Sequence, residues 1–180
     1  PTILDAVLRH HLLTKNNTEL DRYEKIVADA GRAIHEDGFE TLDLCYAHLS
    51  LGELNLLRDD PVSALPYLKD AFNIIISHAH RVAYCIFVPP LLALCYVRLN
   101  RPFAALPALT LAWINQIFSS RLLLPKTLYV TGELFHRSGM KWLGRWCAQK
   151  SIQKAMYYRL PAIVYELRLN LATLILDDDP

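Results

Sequence analysis

The chain has 180 residues, a net charge of +1 and 53% hydrophobic residues, above the roughly 45–50% of an ordinary soluble domain. Six glycines and no low-complexity run argue against extended disorder, and no run of about five or six like charges marks a nucleic-acid-binding tail. Gly-rich phosphate loops, G-x-S-x-G, H-E-x-x-H and dinucleotide fingerprints are all missing from the sequence, which points away from an enzyme.

Apolar spacing predicts helices nearly throughout. Ile3, Leu4, Val7, Leu8 and Leu12 mark a first helix. Tyr23, Ile26, Val27, Ala30 and Ile34 mark a second, opened by Asn17-Thr18 and stopped by Gly38. A third spans about 40–57. Asp60 then caps a fourth that has Pro61 in its first turn and runs to Ser77. Pairs over 82–99 and 102–118, then 122–138 and 140–157, repeat the arrangement, and a last helix covers 160–176. Pro89-Pro90 predicts a bend or a late start in its helix. Pro66 and Pro107 predict a loose first turn, with regular helix beginning after them. The uncharged stretches 82–97 and 102–120 are short and proline-broken for membrane spans, so buried helices are expected there and no membrane association.

These elements recur. Ala64-Leu65-Pro66-x-Leu68-x-x-Ala71 returns as Ala105-Leu106-Pro107-x-Leu109-x-x-Ala112, 41 residues on, and each copy follows a proline by three residues. Gly132, Phe135, Gly139, Gly144, Ala148 and Ser151 form a looser third copy 39 residues later. Such a period predicts an all-α stack of helix pairs with repeats at 3–37, 40–77, 80–118 and 122–157 and a terminal helix at 160–176. The apolar surplus and the bare ends at Pro1 and Pro180 predict one domain, residues 1–180, excised from a longer protein.

Small residues at Gly52, Ala64 and Ala71, with bulky Leu68, resemble the tetratricopeptide pattern. Ala93, Ala105, Leu109 and Ala112 repeat it with Tyr96 at the aromatic position, and Gly132, Gly144, Ala148 and Ser151 repeat it with Phe135. The repeat is longer than the family's 34 residues, and Asn55 stands where the first copy should be aromatic. Repeats of this length resemble those of bacterial signal-responsive transcription activators and signalling ATPases. The resemblance implies a right-handed solenoid of antiparallel helix pairs with a concave groove for a partner. Carried over residue by residue, the groove takes Tyr46, Leu49, Glu53, Leu56 and Leu57, then Phe87, Pro90, Leu94, Val97 and Arg98. Lys126, Tyr129, Glu133, His136 and Arg137 complete it.

Charge is uneven along the chain. Residues 1–60 carry −6, residues 121–168 carry +7, and the last twelve carry −3. The basic end, with Lys141, Arg145, Lys150, Lys154 and Arg159, is expected to meet an acidic protein partner or a sister subunit. Trp113, Trp142 and Trp146 are expected to pack between repeats, although Trp142 and Trp146, four apart, could instead anchor a partner. Cys45, Cys85, Cys95 and Cys147 lack metal-ligand spacing and are expected as reduced, buried thiols of a cytoplasmic protein without metal or cofactor. His78 and His80 lack a third ligand. Glu133 and His136 have no visible nucleophile to serve.

These features together predict a non-enzymatic interaction or regulatory module of a larger bacterial transcription regulator, with no direct nucleic-acid contact by this segment. The alternative is a sensor whose superhelix encloses a small effector.

Overall fold

The computed structural model describes residues 41–77, 86–118 and 123–176, together with Asp21, Arg22, Lys25 and Asp29, which are helical. Repeat 3–37, with its two expected helices, otherwise lies outside the described residues. Among the described residues seven helices are delimited and there is no strand, so the protein is all-α as expected. It divides into two compact units, Pro1–Cys85 and Ile86–Pro180.

In the first unit α1 (Thr41–Leu57) packs on α2 (Pro61–Ser77). The small residues make this possible. A Cβ built on Gly52 would stand 2.5 Å from Leu68 Cγ, so only glycine lets Leu68 seat against α1. Ala64, Leu68 and Ala71 are fully buried, and the Cys45 thiol reaches the Ala71 carbonyl at 3.7 Å. Burying a leucine such as Leu54 or Leu68 stabilises the fold by about 1.5–3 kcal/mol.

The second unit holds α3 (Val88–Arg98), α4 (Pro102–Phe118), α5 (Leu123–Arg137), α6 (Lys141–Tyr157) and α7 (Pro161–Leu176). Each helix packs on the next, and α3 also packs on α5. Ala93, Ala105 and Ala112 have no exposed surface, in line with the repeat register. Ala148 and Ser151 are likewise fully buried, and the Ser151 hydroxyl donates to the Pro125 carbonyl at 2.6 Å. Trp113 on α4 donates its indole N–H to Thr131 on α5 at 3.2 Å, the inter-repeat contact anticipated for it.

Four turns between helices among the described residues share one geometry. Asp59, Asn100, Gly139 and Arg159 each have positive φ, between 56° and 88°. In each turn this residue's N–H bonds the carbonyl three back, and the next N–H reaches five back, as in Asp59 to Leu56 and Asp60 to Asn55. This is the Schellman closure, and the residue after it at once starts the following helix. Asp60 does so with its side chain as well, accepting the Ser63 N–H at 3.0 Å. The Ser63 hydroxyl first, and then that backbone bond, hold the Asp60 carboxyl below its ordinary range.

The prolines divide. Pro89 and Pro90 occupy the first positions of α3, which begins at Val88, so the late start is observed. Pro66 and Pro107 do not loosen a first turn: α2 and α4 are regular from Pro61 and Pro102, with these prolines inside. The carbonyls they leave unbonded are those of Val62 and Phe103, both on the exposed side where water can serve them. No described helix is long and apolar enough to cross a membrane.

Candidate functional site

Two surfaces carry the predicted site residues in the second unit. The first is the α3–α5 seam. Helical spacing puts Lys126, Tyr129, Glu133 and Arg137 on one side of α5, and α3 presents Phe87, at its N-cap, and Arg98. The structure brings these together, with Lys126, Tyr129 and Glu133 buried, Phe87 and Arg98 half-buried and Arg137 exposed. Glu133 is 2% exposed. Its Oε1 lies 3.4 Å from Arg98 Nε and 3.2 Å from Arg137 Nε, and its Oε2 accepts the Tyr129 hydroxyl at 2.8 Å. Lys126, itself buried, sets its ammonium over the Phe87 ring at 5.7 Å. His136 and Leu94 are buried nearby in sequence, on α5 and α3.

A carboxylate so enclosed is stable only because two guanidiniums and a phenol satisfy it. Burial, and then the charge of Glu133, pushes the Tyr129 phenol well above its ordinary value. The chemistry of this arrangement is cohesion: it holds α3 to α5 and keeps the Glu133 carboxylate and the Tyr129 phenol away from solvent. Arg137, expected in the groove, is exposed but pairs with Glu133 within its own helix. Tyr46, Leu49 and Glu53 lie on α1 in the first unit, respectively exposed, buried and half-buried.

The second surface is the outer side of α6. Trp142 is 74% exposed and Trp146 50%, so these two do not pack between repeats. The buried side of α6 is taken by Gly144, Cys147, Ala148, Ser151, Ile152 and Ala155, and both indoles fall opposite it. Trp142, Trp146, Gln149, Gln153 and Met156 follow a four-three-four-three spacing, all exposed, and Tyr157 continues the stripe over about 22 Å. Cations flank it: Lys141 and Arg145 on one side, Lys150 and Lys154 on the other. Lys150 sits over the Trp146 ring at 5.9 Å and bonds Gln153, and Lys154 sits over the Tyr157 ring at 5.9 Å. Helix α6 contains no acidic residue.

Comparison with protein families, with curated proteins and with solved structures returns no match. The site must therefore be judged on its own chemistry. No group of three metal-ligating side chains occurs among the described residues, and His78 and His80 lie outside them. Cys45, Cys95 and Cys147 are buried free thiols, and burial raises the Cys147 thiol above its ordinary value. Gln149, Gln153, Met156 and Tyr157 escaped the sequence reading. The heptad-like spacing that joins them to the tryptophans was the signal, legible only once one side of α6 is known to be buried.

Proposed function

We propose that this chain is a non-enzymatic interaction domain that docks an acidic, amphipathic helical segment of a protein partner along the outer side of α6. The single observation that carries the reading is the exposed Trp142–Tyr157 stripe between two rows of cations on a helix without a carboxylate. Exposed tryptophans in a patch rimmed by charge are where binding energy concentrates. A partner helix with apolar residues at a and d and Glu at e and g would complement both features.

Two other occupants fit less well. Lys150 and Lys154 already cover ring faces of Trp146 and Tyr157, the surfaces on which nucleobases would stack. Gln149 and Gln153 in mid-stripe would lose hydrogen bonds on entering hydrocarbon.

The helix pairs themselves read as tetratricopeptide-like units of a right-handed solenoid of antiparallel pairs. The repeated small residues and the shared turn geometry support this. The resemblance of the repeats suggests a larger bacterial signal-responsive regulator as the setting. The test is the association rate with a leucine-heptad peptide bearing Glu at e and g. Joint K141E, R145E, K150E and K154E should slow association and leave the melting temperature unchanged. Equal rates for the variant and the parent chain would reject the surface.

A further inference from the structure

Where α6 turns into α7, a cleft of about 550 Å³ opens to solvent, lined by Met156, Arg159, Leu160, Pro161, Val164, Tyr165 and Arg168. Its walls are mostly apolar, and its volume falls within the roughly 300–1,000 Å³ of small-molecule sites. Two arginines, Arg159 and Arg168, belong to that lining. Arg168 reaches back across the cleft to α6, with Nη2 3.7 Å from the Met156 sulfur. Neither Arg159 nor Arg168 has a carboxylate partner among the described residues, although Glu133 shows how this fold neutralises an arginine when it does so.

From this geometry we infer that the cleft binds a small amphiphilic monocarboxylate: an apolar tail against Leu160, Pro161 and Val164, and a carboxylate held between Arg159 and Arg168. Guanidinium is the side chain best suited to carboxylate, since its planar fork offers paired donors. A cationic or neutral ligand of the same shape would leave both arginines uncompensated or gain nothing from them. Tyr165, 58% exposed, also lines the cleft. Met156 borders both the cleft and the α6 stripe, but Lys141, Trp142, Trp146 and Lys150 take no part in the cleft.

Equilibrium dialysis of the whole chain against labelled decanoate, below its micellar concentration, tests the assignment. Saturable binding at one site is expected, with decylamine and decanol failing to compete at equal concentration. Arg168→Gln and Arg159→Gln should each weaken binding about tenfold, the effect of losing one charge-assisted contact. Val164→Phe, which fills the apolar floor and keeps both arginines, should weaken it too. Melting curves identify any variant that fails to fold, and the other two then decide. Linear, unsaturable uptake overturns the assignment, as would decanol competing as well as decanoate or decanoate binding unchanged in the folded variants.

Discussion

Gly132 and Gly144 face each other so closely that a methyl group on either would stand 2.8 or 2.7 Å from the other's carbonyl oxygen. No flexible side chain lies between them to give way, so α5 and α6 meet backbone to backbone. Gly132→Ala and Gly144→Ala should therefore each cost about 1–3 kcal/mol through overpacking, despite alanine's better helix propensity. Ala71→Leu and Ala112→Leu should cost about as much, since both positions are fully buried. Urea unfolding checks this; unchanged midpoints would mean that the helices separate easily at these crossings.

Glu133 is buried and held by three side chains. Glu133→Ala strands Arg98 and Arg137 beside a buried phenol and should cost about 3–5 kcal/mol, the usual penalty for breaking a buried pair. Arg98→Met with Glu133→Leu, which removes charge from both sides, should recover part of that loss. A double mutant no more stable than Glu133→Ala would show that the cluster is not a coupled unit.

The helices were largely legible in the sequence because small residues and turn residues recur in register. Asp60-Pro61 gave the start of α2, and Pro89-Pro90 announced the late start of α3. Pro66 and Pro107 misled because their effect depends on which side of the helix faces water, which one strand of sequence does not reveal. Glu133 read as a groove residue for a related reason: its partner Arg98 comes from another helix. For Trp142 and Trp146 the sequence leaves packing between repeats and a joint partner anchor both open, and the choice follows only from the burial of Gly144, Cys147 and Ala148 on the opposite side.

Tyr129 and Asp60 give opposite pH dependences. Tyr129 has a folded pKa raised above its ordinary value of 10.0, so its contribution is complete below pH 10.0 and is lost as pH rises through the folded value. The alkaline unfolding midpoint should move upward in Tyr129→Phe; an identical midpoint would contradict this. Asp60 is the opposite case. Its folded pKa is lowered from 3.8, so its capping contribution is present above 3.8 and is lost as pH falls through the folded value. Asp60→Ala should therefore lower stability at neutral pH and cease to matter in strong acid.

Arg159 holds a left-handed conformation, φ 56°, where the corresponding α5–α6 turn has Gly139. A non-glycine residue there costs roughly 1–2 kcal/mol. Arg159→Gly should raise the melting temperature, by about half that energy after glycine's greater unfolded-state freedom is counted. It should also weaken decanoate binding at the α6–α7 cleft. A lower melting temperature would show that the Arg159 side chain, rather than its backbone, governs the turn.

The docking claim is tested most directly by tryptophan emission during titration with the leucine-heptad, Glu-flanked peptide. Trp142 and Trp146 are exposed and Trp113 is half-buried, so burial of the α6 stripe must move the spectrum. The account predicts a saturable blue shift that weakens as salt shortens the Debye length from ~10 Å at 0.1 M to ~3 Å at 1 M. The shift should vanish in the Trp142→Ala, Trp146→Ala double variant and with a Lys-flanked peptide. No shift, an equal shift with the Lys-flanked peptide, or tighter binding to polyuridylate or phosphatidylserine vesicles would contradict it.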